Sequence, residues 1–290
     1  MIPFLLWNHL VCGQTYLPYY HLCHDAAKAM YLENYELAQT KFEQAFELVD
    51  YVHTTSYEKA SQCAIALGDF QQGYQWAQKA LLNGSHNHFW KARKFRAFRQ
   101  STYGQWLRDS IPYFQRQAVE KVDTVYLKQI DSLYFVDQYI IRGSIAAKGN
   151  YAIDKSALPE NRFELDSTNL IALIQLIEAY GFPSEQLLGV DGYQKATMII
   201  HHNFRLEHNE KYHPIVLKAL FEGEYLPSDF EGMYEQYCMW YKDTTFFSTF
   251  DQDLSESNLE RINLNRRKYG LKDLSAFQIK RKGLVMKAKW

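Results

Sequence analysis

An all-α fold is predicted for this chain by three observations. Turn formers are scarce, with 14 Gly and 7 Pro in 290 residues, while aromatic residues reach 16%. Strand-rich folds need turn residues at short intervals, so this balance favours long helices. A helical-hairpin pattern recurs at one fixed offset near the start. Beyond it, apolar residues return with the three- to four-residue spacing of a helix buried on one face. The expected order is a helical hairpin region with capping helices over 15–110, a helical domain over 111–272 and a basic tail over 273–290, preceded by a distinct segment 1–14. A chain of this length buries a core without needing disulfides or metals.

In the first region, Tyr35-x2-Ala38-x3-Phe42-x2-Ala45 recurs as Phe70-x2-Gly73-x3-Ala77-x2-Ala80, every position displaced by 35. Ala26 and Ala29 return as Ser61 and Ala64, and the turns read Glu33-Asn34-Tyr35 and Gly68-Asp69-Phe70. Small residues at Ala26/Ser61 and Ala38/Gly73 let two antiparallel helices approach closely. Tyr35 and Phe70 plug the gap after the turn, and Ala45 and Ala80 leave room for the next helix. The pattern resembles the tetratricopeptide repeat with one extra residue per period. That resemblance implies two tetratricopeptide-type hairpins whose concave face takes a peptide or partner protein, with Tyr35, Phe42, Phe70 and Tyr74 as partner-binding side chains. Two such units rarely bury a core alone, so a capping helix is expected over 86–106, packing through Phe89, Trp90, Phe95, Phe98 and Trp106. Its cations Lys91, Arg93, Lys94, Arg96 and Arg99 would spread around such a helix rather than form a stripe. A solvated helix is therefore favoured over a nucleic-acid surface, and a weak anion site is the residual reading.

From Ile111 the pattern changes. Tyr126, Leu127, Ile130, Leu133, Tyr134, Ile140 and Ile141 trace one face of a long helix, with Asp137 in a gap where an apolar residue is expected. A carboxylate there must be paired, hydrogen-bonded or protonated. Arg142 and Gln138 lie on the adjacent surface. Gly143 to Phe163 reads as a loop. The next helix is expected to be capped by Asp166 or Ser167 and stopped by Gly181-Phe182-Pro183, its apolar Leu170–Ala179 interior marking it as central. Another begins after Val190-Asp191 and runs through His201-His202. A helix over Pro214–Phe221 follows, then one opening on the capping-box signature Ser228-x-x-Glu231.

Net charge is −1 overall, so bulk electrostatics recruits neither nucleic acid nor membrane. Arg266 to Trp290 holds nine cations against Asp273, so the tail is basic and the body acidic. Cys12, Cys23, Cys63 and Cys238 form no CxxC pair, which argues against a zinc site and a disulfide framework. His201, His202, His208 and His213 lie close in sequence with Glu207 and Glu210, but their spacing lacks the one-turn ligand pairs of a zinc helix, so no metal is expected. The opening MIPFLLWNHLVCGQ is either the remnant of a secretory signal, implying export to the periplasm, or a plain N-terminus of a cytoplasmic chain. No apolar run reaches the length of a membrane span.

A second resemblance follows from Asp137-Gln138 with Arg142, Asp166 with Asn169, Gly181-x-Pro183, Gly189, His202 after an apolar helix, and Arg267 with Tyr269-Gly270-Leu271. Over about residues 130–272 the chain resembles an uncharacterised helical family of bacterial, Bacteroidetes-like proteins that follows tetratricopeptide-like repeats. It departs where His201 replaces a usual Gln, and where Lys242-Asp243 and Phe247-Ser248-Thr249 replace an acidic–basic pair and a Tyr-Gly-Thr stretch. Two functions are expected to compete. One is a protein- or peptide-binding module built on the repeats. The other is a hydrolase-type enzyme in which Asp137, Arg142, Asp166, Asn169 and His202 converge, a His–Asp pair performing acid–base work. Neither requires a cofactor. Nucleic-acid binding through Lys91–Arg99 is the weakest reading.

Overall fold

The computed structural model of the protein describes residues 16–86, 89–141, 162–203, 209–241, 246–247 and 256–274. Expectations for the 1–14 segment, Arg142, the loop from Gly143, Glu207, His208, Lys242-Asp243, Ser248-Thr249 and the tail segment Lys280 to Lys289 lie outside these residues. Among those described there are twelve α-helices and no strand. None of the helices is long and apolar enough to cross a membrane.

Helices α1 (Tyr16–Tyr31) and α2 (Tyr35–Phe46) form one hairpin, and α3 (Thr54–Leu67) and α4 (Phe70–Leu82) a second. Their turns repeat the same cap and the same helix-closing backbone hydrogen bond at the 35-residue offset. Asn34 and Asp69 cap the second helix of each pair, accepting from the Leu37 and Gln72 amides at 3.2 and 3.0 Å. The Asn34 amide donates to Ala29 O and the Asp69 amide to Ala64 O. Glu33 (φ 59°) and Gly68 (φ 83°) share the left-handed position before the cap. Close approach explains the small residues. A Cβ on Gly73 would stand 2.5 Å from Ile65 Cγ1, and Ser61 Oγ donates to Gly73 O at 2.6 Å.

The expected capping helix over 86–106 is not one helix. Two 3-10 turns, Phe89–Lys91 and Arg93–Phe95, lead into a short α5 (Arg96–Gln100), and Ser101 then caps a new helix, α6 (Thr102–Glu120). Trp90, Phe95 and Phe98 turn inward onto Ile65, Ala77 and Leu81 as expected, but Trp106 remains 52% exposed. Helix α6 also runs unbroken across the expected boundary at 110. Its sharp start depends on Gly104, where a Cβ would strike the Phe98 carbonyl oxygen and the Arg99 backbone. Gly104→Ala is therefore expected to destabilise the fold by about 1–3 kcal/mol, read as a lower urea midpoint at unchanged m-value.

The second half is built on α7 (Thr124–Ile141), α8 (Arg162–Tyr180), α9 (Glu185–Asn203), α10 (Asn209–Phe221), α11 (Pro227–Tyr241) and α12 (Glu256–Lys268). Several boundaries differ from expectation. Helix α8 starts before Asp166, and its solvent side carries exposed Ile171, so it is a flank rather than the centre. Helix α9 starts at Glu185 and is interrupted at Gly189 (φ 67°, ψ 175°), a conformation essentially confined to glycine. The stretch after Val190 is thus its second segment. Pro214 lies inside α10. Pro227 takes the first position of α11, so Ser228 is already helical and the capping box does not form. Glu231 instead pairs with Arg266 at 2.7 Å.

One large core joins the two halves. Tyr19 and Tyr20 of α1 leave their own hairpin and pack with Leu220, Tyr225 and Phe230. Turns in the second half are cut to fit α1: a Cβ on Gly223 would enter the Tyr16 ring, and one on Gly270 would meet Tyr20 Cδ2 at 2.9 Å. Beside this contact the His24 Nε2–H donates to Gly270 O at 2.7 Å. Burial pushes the His24 imidazole down to about 4, with Lys59, Lys272 and His21 adding to the effect. The unfolded chain takes up that proton near its ordinary value, so the unfolded state binds more protons between about 6.5 and 4. Stability is full above that window and falls on acidification through it, by up to about 3 kcal/mol from this group. Burial lowers His201 and His213 as well, reinforcing the slope. Urea unfolding across this range is expected to show a shallower pH dependence for His24→Gln.

Candidate functional site

Three helices of the second half form the layer that carries the site. Helix α7 runs parallel to α9, tied at three levels. The Asp123 amide donates to Leu187 O at 3.1 Å, Lys195 Nζ donates to Asp131 Oδ1 at 2.8 Å, and Asp137 meets His202. Helix α8 runs antiparallel to α7. Tyr180 stacks on Tyr126 with ring centroids 4.9 Å apart, and Asn169 Nδ2 donates to Leu133 O at 3.4 Å. That register brings Asp166, one turn before Asn169, level with Asp137.

At this end of the layer the His202 Nδ1–H reaches both oxygens of Asp137, at 2.9 and 2.8 Å. Gln138 Nε2 donates to the same carboxylate at 2.8 Å. The Asp137 side chain is sealed from solvent, whereas the imidazole remains 19% exposed. A carboxylate on Nδ1 selects the tautomer whose lone pair is on Nε2. Among the described residues Nε2 has no hydrogen-bond partner, so the ring can accept a proton there or return one. The gap at Asp137 in the apolar face of α7 is thus filled by a pairing, as burial of a carboxylate demands.

Of the five residues expected to converge, the described ones, Asp137, Asp166, Asn169 and His202, occupy one end of α7, α8 and α9. Asp166 and Asn169 are buried on α8. The three described histidines of the cluster have different partners. His202 meets Asp137, His201 Nε2–H donates to Asp229 O at 2.9 Å, and His213 stacks on Tyr234 with centroids 5.1 Å apart. Among the described residues no three Asp, Glu, His or Cys side chains are grouped as metal ligands would be.

The partner-binding set fares differently. Phe42 is fully buried among Ala26, Ala38, Ala60, Cys63 and Trp76, because α2 packs its face onto α1 and α3. It is core, not a docking side chain. Phe70 packs on Phe98 and Tyr74 on Tyr103 and Trp106, all half-buried or exposed neighbours of the cap except Phe98. Tyr35 is half-buried at the first turn.

A second polar network had no signal in periodicity. At the start of α9, Glu185 Oε2 accepts from the Thr54 amide at 3.1 Å and lies 3.6 Å from His53 Nδ1. Burial raises this carboxyl, but His53 and the α3 amide outweigh it and hold it below the usual range. His53 in turn stacks on Tyr20, whose hydroxyl is 3.3 Å from Nε2. Along the same helix Tyr193 donates to Asp229 Oδ2 at 2.5 Å and accepts from the Leu226 amide at 2.9 Å. Burial raises the Asp229 carboxyl, with Tyr193 and His201 offsetting part of that. A carboxylate in the first turn of α9 suggests service to its own helix, whereas Glu185 serves the N-terminus of α3, so no local pattern marks this network.

No family model matches the chain, and no curated protein and no solved structure was found to match it either.

Proposed function

We propose that this protein is a hydrolase-type enzyme whose general acid–base centre is His202, oriented by Asp137. The observation that supports it is the two-oxygen hold of a sealed carboxylate on Nδ1 of a partly exposed imidazole. Nε2 takes the proton of an attacking water and later returns it to the leaving group, while Asp137 stabilises the imidazolium between those steps. Gln138 positions Asp137, and Asp166 and Asn169 supply the wall on α8. The test is a panel of chromogenic esters, phosphoesters, amides and glycosides offered to the intact chain and to His202→Gln. Turnover that is absent with every substrate, or unchanged in the variant, sinks the reading.

The repeat hairpins support a second reading, as a protein- or peptide-interaction module. Its specific observation is the exposed apolar tip of the first hairpin, Tyr31, Leu32 and Leu37, beside Tyr35, with Leu32 65% exposed. A partner docking there is lost from co-purification with Leu32→Asp/Leu37→Asp and kept with His202→Gln; retention in the tip variant would remove this reading.

A further inference from the structure

The cap of the second hairpin is a concentrated cationic surface. From Phe70 to Arg108 there are seven Lys and Arg and no Asp or Glu, in a chain whose net charge is −1. Spreading those cations around one long helix would dilute them, but 86–106 is not one helix. Two 3-10 turns and the five-residue α5 turn Trp90, Phe95 and Phe98 into the core and leave Lys91, Arg93, Lys94 and Arg96 exposed. Among the described residues none of these four has an ion-pair partner. Arg99 has a different task. Its Nη1 donates to the carbonyls of Trp90 and Ala92, at 2.9 and 2.6 Å, and so holds the turns in shape. The acids that bracket the stretch are engaged, Asp69 as the cap of α4 and Asp109 with Arg108 at 3.2 Å.

The same cap carries, at the start of α6, an aromatic cluster that the core leaves half-buried or exposed. Tyr103 opens α6 four residues after Arg99. Trp106 lies 5.4 Å from it and 6.4 Å from Tyr74, centroid to centroid. Both neighbours meet the indole edge-on, at interplanar angles of 85° and 69°, so neither stacks flat against it.

We propose that this cap binds single-stranded nucleic acid, phosphates on Lys91, Arg93, Lys94 and Arg96 and a base on Trp106. Cations without an ion-pair partner, and an exposed ring on the same cap, favour this class of partner. A polyanionic strand carries phosphates and stacking faces together, and every base has such a face. An acidic peptide would use the cations and leave the ring without a role. A membrane surface would need several projecting apolar side chains, and of those on the cap Trp90, Phe95 and Phe98 point inward, leaving Trp106 as the large exposed one among the described residues. The surface is separate from the His202–Asp137 pair, so the proposal stands without the hydrolase reading.

The experiment is fluorescence anisotropy of labelled dT20 with the full chain, at several salt concentrations. Four phosphate contacts predict a log–log salt slope of about −3. Arg93→Glu/Arg96→Glu is expected to weaken binding at least about tenfold, and Trp106→Ala about 5- to 100-fold. Circular dichroism of each variant establishes that these exposed positions leave the fold intact. Absent binding at low salt overturns the proposal, as does binding indifferent to both variants. Tighter binding of polyglutamate or of anionic vesicles than of dT20 also overturns it, assigning the surface to another class of partner.

Discussion

Arg266→Ala is expected to lower the stability of the chain by about 3–5 kcal/mol, the range for removing one partner of a buried ion pair. Arg266 is almost completely buried. Its Nε–H donates to Lys272 O at 2.6 Å, and its Nη1 to Glu231 Oε1 at 2.7 Å and to Phe247 O at 2.9 Å. One guanidinium thus ties α11, α12 and the Phe246–Phe247 segment together. Glu235 anchors the same segment from α11, its Oε2 accepting the amides of Phe246 and Phe247 at 2.9 and 2.7 Å. Alanine removes from Glu231 the guanidinium it meets at 2.7 Å and takes this donor from two carbonyls. Arg267 is the control. It makes three hydrogen bonds to Asp273, yet both side chains are well exposed, so Arg267→Ala is expected to change stability by about 1 kcal/mol or less. Urea unfolding of the two variants in parallel separates burial from bond count. A second arm guards against simple misfolding: Arg266→Met with Glu231→Leu should recover much of the loss, since replacing both members of a buried ion pair by apolar groups costs less than removing one. Equal losses in the single and double variants would contradict that account.

The contacts of Arg266 also mark where a sequence can and cannot be read. The hairpins were legible because their determinants are local. An Asx cap, a left-handed residue before it and small residues at fixed steps are all printed within 35 residues of chain. Asp137 was legible for a related reason, since a charge inside an apolar helical face demands a partner somewhere. His202 was the economical candidate, because it ends an apolar helix. What stayed hidden depends on how distant segments meet. Nothing near Glu231 announces that it faces Arg266 rather than capping its own helix. Similarly, Glu185 caps α3, a helix that begins 131 residues earlier in the chain. The cap over 86–106 misled differently. Its helix-like composition lost to the Ser101 cap and to Arg99, which binds the carbonyls of Trp90 and Ala92 and bends the chain into turns. On an ideal helix these cations would spread around the axis, whereas the turns leave Lys91, Arg93, Lys94 and Arg96 together on the outside of the cap.

Asp137→Asn is expected to lower turnover of whichever substrate the panel finds by about 10²–10⁴-fold, the range for losing a positioned acid–base group. The substitution is nearly isosteric, so its effect is chemical. A carboxamide offers the His202 Nδ1–H one oxygen instead of two. Its NH2 group favours the tautomer with the lone pair on Nδ1, which takes the base away from the exposed edge of the ring. Nitrogen chemical shifts of the imidazole report that tautomer directly and need no substrate. They should show the proton on Nδ1 in the parent chain and a changed distribution in the variant. His202→Gln is expected to fall as far, and the double variant little farther, because groups acting as one unit are not additive. A different pattern would give the pair another meaning. If Asp137→Asn lowers the urea midpoint while turnover is unchanged, the pairing serves only to satisfy a buried carboxylate. Additive losses would separate the two residues into independent roles, and the hold of Asp137 on Nδ1 would no longer carry the hydrolase reading.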